Sequence, residues 1–258
     1  MSTPARGPSA PLAAYVLALA DDALVAAQRT GEWIAAAPQI EEDVALGNIA
    51  LDQLGQARNL LTYAGSLQDP PRTEDDLAYL RGPEDFRNVQ LVERPWADDF
   101  GVAMARLLVL STYLVELYAR LAHSADETLA AVAAKAVKEV DYHRDHATMW
   151  VLRLGDGTEE SHRRMQAALD AEWPFTEELF DDAYVDPTLL SGGVAVNPAV
   201  LRDPVSARLA EVLASATLRV PQVTAAPGGG REGRHTEHLA PLLEEMQALA
   251  RAHPGATW

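Results

Sequence analysis

Apolar residues recur at helical spacing along most of this chain, and the interruptions divide it into segments. Leu12, Val16, Leu19, Ala23 and Ala27 form one stripe and predict a helix over 11–30. The segment GEWIAAAPQ breaks that pattern, and IEEDVALGNIALDQLGQARNLLTYA predicts a second helix over 40–64. Its acidic start suits the positive end of a helix dipole. A third helix is predicted over 98–122, with Met104, Leu107, Leu108, Ser111, Leu114, Val115, Tyr118 and Leu121 at helical spacing. The fourth, over 126–154, places Leu129, Ala133, Ala136, Val140, His143, Ala147, Trp150 and Leu154 at alternating steps of four and three. That seam puts His143 inside a bundle.

Between the second and third helices, residues 65–97 carry Pro70-Pro71 and read as a long crossover with room for one short helix. Such a connection permits ferritin-like topology. Beyond the fourth helix, LGDGTEE is a stop followed by a start, with Thr158 placed to cap the next helix. That helix runs over 159–180, and Pro174 should kink or divide it. Residues 181–204 read as irregular and 205–219 as helix. Residues 226–236 read as a flexible glycine-rich loop, after which Thr236 is placed to cap a last helix through Ala252. Residues 1–10 are expected to lack fixed structure. The expectation is an all-α chain in one domain over 1–258, a ferritin-like helical bundle with additional C-terminal helices.

Composition narrows the function. A net charge of −17 with no basic stripe argues against nucleic-acid binding. No run of about 18 uncharged apolar residues suggests a membrane span. Asp21 and Asp22 interrupt the N-terminal apolar run, which does not look like a signal peptide. With no cysteine there is no disulfide or thiolate chemistry, and the cytoplasm is the expected compartment.

The sharpest chemical candidate is a carboxylate-bridged di-iron centre. A ferritin-type site takes a Glu-x-x-His pair from each of two helices and a carboxylate from each of the other two. No histidine precedes His123, so the first two helices contribute no imidazole. The two Glu-x-x-His strings, Glu159–His162 and Glu232–His235, lie outside the long bundle helices. On the second helix the ladder Asn48, Asp52, Gly55, Asn59 holds one carboxylate, with glycine where an imidazole is wanted. Glu139 is followed by Tyr142 at the three-residue offset, and Glu116 has Arg120 four residues on, an ordinary ion-pair spacing. His143 therefore reads as a hydrogen-bonded core histidine. His235 and His238 beside Glu232 and Glu237 offer a weaker zinc candidate, which a polar helix start explains equally well. APGGGREGR lacks a P-loop ending, and no GxSxG elbow is present.

Four segments, EEDVALGNIALDQLGQARNLLTYA, EDFRNVQLVERP, AAKAVKEVDYHRDHATMWVLRLGDGTEES and RHTEHLAPLLEEMQALARAHPGATW, resemble the C subunits of bacterial ring-1,2-phenylacetyl-CoA epoxidases. The resemblance runs from about residue 11 to Trp258 and is least distinctive over 181–230. It implies a ferritin-like fold and a metal-free companion of a homologous di-iron A subunit that binds phenylacetyl-CoA. It also implies a small B subunit and a reductase carrying flavin and an iron–sulfur cluster and using NADPH. No catalytic, cofactor or metal residue is then expected in this chain. Asp52, Glu116, Glu139 and His143 would mark a degenerate metal cavity, satisfying one another by hydrogen bonds. Rival expectations are a self-standing di-iron oxygenase or oxidase and a maturation chaperone for the A subunit. A homodimer is expected wherever a missing partner exposes an apolar face.

Overall fold

Each long helix keeps an apolar stripe along its whole length, and the stripes converge on one core. A computed structural model of the protein describes residues 10–96 and 99–256. Helices α1 (Ala10–Gly31) and α2 (Ile40–Ser66) form an antiparallel hairpin. A crossover containing α3 (Glu74–Tyr79) leads to a second hairpin, α4 (Phe100–Leu121) and α5 (Glu127–Gly155). Two such hairpins joined by one long crossover make a ferritin-like bundle. Outside it lie α6 (Glu159–Glu172), α7 (Pro187–Ser191), α8 (Arg202–Ser215) and α9 (Leu239–Ala252). No strand occurs among the described residues. Of residues 1–10, expected without fixed structure, only Ala10 is described, and it opens α1; the rest lie outside the described residues.

By length and composition α1 and α4 could each cross a membrane, but 78% and 72% of their most apolar windows are buried within the bundle. They are apolar all round because they are central. Side-chain caps set several starts: Asp99 accepts from the Gly101 amide, Asp126 from Leu129 and Thr158 from Ser161. Pro174 ends the α6 region as expected, with α6 closing at Glu172 and a 3₁₀ turn spanning Trp173–Phe175.

Several boundaries and textures differ from expectation. The crossover, read only as a long connection, runs through the core: Phe86, Asn88, Val89, Leu91 and Glu93 are fully buried. Buried irregular backbone needs partners for its amides, and carboxylates supply them. Arg87 N donates to Asp21 (2.9 Å), Val89 N to Asp22 (2.8 Å) and Gln90 N to Glu178 (2.7 Å). The glycine-rich loop is anchored rather than free. Gly229 and Gly230 donate to Glu178 Oε1, and Gly230 lies so close to the Asn88 carbonyl that a Cβ would fall 2.1 Å from it. Helix α8 starts three residues earlier than expected and ends before Thr217, whose φ of 60° lies outside helical space. The region 181–204 contains α7 and a 3₁₀ turn. Thr236 does not cap α9, which begins after His238. Its hydroxyl donates instead to Glu93 (2.7 Å).

Candidate functional site

One line of polar groups, which includes three of the four candidate cavity residues, lies where α2 faces α5. The two helices run antiparallel, so residues later on α2 meet residues earlier on α5. Near one end, Trp150 Nε1 donates to Glu42 Oε2 (2.8 Å), and His146 Nε2 lies 3.1 Å from the same oxygen. Further along, His143 Nε2 donates to Asp52 Oδ2 (3.0 Å). Then Gln56 Nε2 donates to Glu139 Oε2 (3.0 Å), whose other oxygen is 3.3 Å from Lys135 Nζ. His143 is 1% exposed while Asp52 retains 37%, so this pair joins the core to the surface.

Of the four candidate cavity residues, the structure brings together Asp52, His143 and Glu139. Glu116 does not join them; on α4 it pairs with Arg120 (2.5 Å), one turn on and partly exposed. Two seam members, Glu42 and Gln56, were not singled out from the sequence. Glu42 sits among three consecutive acidic residues at a helix start, where only the bundle register shows which one turns inward.

Burial lowers the proton affinity of His143, against the opposing pull of Asp52 and Glu139. Burial lowers that of His146 too, against the pull of Glu42. A histidine depressed in the folded state takes up its proton later than in the unfolded chain, whose value is about 6.5. Stability linked to it is therefore full above that value and is lost as pH falls below it. The wild-type advantage over a His143→Gln variant should shrink from pH 7.5 to pH 5.5 in urea unfolding. An unchanged gap would show that the imidazole does not titrate differently in the two states.

The donor set does not fit a di-iron centre. α1 has only two carboxylates, and both are bound to arginines: Asp21 to Arg81, and Asp22 to Arg231 at 2.6 Å. α4 has only Glu116, which pairs outward. Among the described residues no three His, Asp or Glu side chains gather as a metal would require. Burial, with the Asp22 and Glu139 carboxylates nearby, pushes the Tyr118 phenol well above its ordinary range.

The HTEH segment is a structural hub. Glu93, wholly buried, accepts from Asn88 Nδ2 (2.9 Å), His235 Nδ1 (2.6 Å), Thr236 N (2.7 Å) and Thr236 Oγ1 (2.7 Å). His235 Nε2 faces the Phe86 carbonyl at 3.0 Å, so both ring nitrogens are occupied by oxygens of this chain rather than open to zinc. A cavity of about 570 Å3 between α4, α8 and residues 220–225 has one ionisable lining group, Glu177, already paired with Arg202.

Comparison with known proteins sets these features in a lineage. The model of the phenylacetic acid catabolic protein family matches residues 2–258. The C subunit of the 1,2-phenylacetyl-CoA epoxidase of Escherichia coli (strain K12) is 46% identical over 247 residues, which cover 96% of this chain and 99% of that one.

Proposed function

The chain belongs to the phenylacetic acid catabolic protein family, and within it we propose the role of non-catalytic structural subunit in a multicomponent phenylacetyl-CoA 1,2-epoxidase. In this reading a homologous A subunit holds the di-iron centre and the CoA ester. A B subunit and a reductase with flavin, iron–sulfur cluster and NADPH complete a cytoplasmic system that serves aerobic phenylacetate breakdown. This chain contributes rigidity. It packs against the A subunit and holds the ligand-bearing helices in place, because ligand geometry depends on the shell that supports it.

One observation carries the reading: every carboxylate that α1 and α4 could offer a metal is already engaged by an arginine of this chain. Buried Asp21 and Asp22 have been given a structural use. Releasing them would strand two buried guanidinium groups, at a cost of several kcal/mol each. A self-standing oxygenase would need just that release.

The test is metal content and partnership in parallel. Purified alone after anaerobic loading with Fe(II), the chain is expected to hold far less than one iron. Co-expressed with the A subunit, it should elute with it as a stable complex in gel filtration. About two tightly bound irons per chain would establish the oxygenase reading instead. Only transient association, with no effect on turnover once A is assembled, would indicate a maturation chaperone.

A further inference from the structure

The outer surface of α2 is built unlike the rest of this acidic molecule. Ile40, Val44, Gly47, Leu51 and Leu54 follow one another at steps of four, three, four and three, the spacing of a seam that meets another helix. They face away from the core: Ile40 is 72% exposed, Val44 60% and Leu51 65%. Ile34, just before α2, is 61% exposed and continues the strip beside Gly47. Such a strip on a helix that already buries its opposite face needs a second explanation.

The glycines supply it. Glycine inside a helix is destabilising unless something requires the missing side chain. Within this chain nothing does. A Cβ on Gly55 would meet nothing within 4 Å, and one on Gly47 would meet only Ile34 Cγ1 at 3.9 Å. Gly65, by contrast, is forced by the Arg72 carbonyl, 2.1 Å from its would-be Cβ. Small residues on an outward helical seam let a second helix approach closely.

We propose that this face of α2 is the docking track for a helix of a second, homologous subunit, one whose seam is apolar and whose flanks are basic. The proposal rests on the companion-subunit reading and locates its contact. Charge selects the occupant. Glu41, Asp43 and Asp52 flank the strip, and the nearby Arg58 is held by Glu74. Two copies of a chain with net charge −17 would bring like flanks together. The apolar strip from Ile40 to Leu54 is roughly 20 Å long, enough to seat about four turns of a partner helix as the centre of a larger interface. The half-exposed Asp52, anchored by buried His143, is a fixed carboxylate at the edge of the track for a basic group of the partner.

Gly47→Leu is the decisive variant, because a Cβ at this position meets only Ile34 Cγ1, at ordinary contact distance, within the free chain. It and Leu51→Asp should fold with unchanged helicity and no lower Tm, yet bind co-expressed A subunit at least about 30-fold more weakly, the scale of a central interface residue. Val200→Asp, at another exposed apolar position, should bind as the wild type does. Wild-type affinity in both α2 variants would overturn the proposal while leaving the companion reading intact. If the wild-type chain never bound the A subunit, the companion reading would itself fail. A self-dimer lost only in the α2 variants would assign the track to a second copy and overturn the choice of occupant.

Discussion

Replacing Arg231 with methionine is expected to destabilise the protein by about 3–5 kcal/mol, the usual cost of removing one partner of a buried ion pair. Its guanidinium is 3% exposed and donates to Asp22 Oδ2 (2.6 Å) and to the carbonyls of Ala18 (2.9 Å) and Arg87 (2.8 Å). One side chain thus ties the glycine-rich loop to α1 and to the crossover. Burial disfavours its charge, but Asp22 outweighs burial and raises its affinity for the proton.

The loss should depend on pH in a defined direction. Burial pushes the Asp22 carboxyl up to about 6, against the opposing pull of Arg231 and the Val89 amide. Without the guanidinium it rises further, so the folded variant binds a proton that the unfolded chain, near 3.8, does not. Stability of the variant then falls as pH rises past 6, and its deficit widens. Adding Asp22→Asn removes the stranded charge and keeps an acceptor for the Val89 amide. The double variant should regain at least half the loss at pH 8. Urea unfolding at pH 6 and pH 8 reads both effects, and an equal deficit at the two values would contradict the stranded-charge account.

The second large effect is expected at Glu93. Four donors converge on its two oxygens, so no neutral isostere can serve them all. In Glu93→Gln the amide nitrogen would face at least one donor in either orientation. A loss of about 2–3 kcal/mol follows from the unpaired groups. Glu93→Leu should cost about 3–5 kcal/mol, as expected when a buried network loses its central charge. Because His235 and Thr236 lead into α9, its amides should exchange faster than those of α4 in either variant. Uniform exchange across the molecule would mean that Glu93 stabilises the fold without specifically holding α9.

The long helices were legible because their cause is local. Apolar spacing over more than twenty residues, a capping Asp126 or Thr158 and a breaking Pro174 act through neighbours in sequence. The inventory of the long helices was legible too, since none of the four contains a Glu-x-x-His string. His143 was placed in the core by its register alone.

What the sequence could not disclose were the partners of charges far apart along the chain. Asp21 and Asp22 broke an apolar run without announcing that they would hold Arg81 and Arg231, residues 60 and 209 positions away. The crossover read only as a long connection with room for one short helix, because proline and charge mark loops in general. Its burial became affordable only once Asp21, Asp22 and Glu178 met its amides in three dimensions. The glycine-rich loop differs from expectation for the same reason, since flexibility of composition says nothing of a carboxylate waiting across the fold. By itself, then, the sequence determined helices, their apolar faces and the absence of a Glu-x-x-His string from the four long helices, all consequences of short-range periodicity and residue inventory. Tertiary structure alone decided which buried charges pair and which α2 surface stays uncovered, because those depend on long-range register between helices that no local pattern encodes.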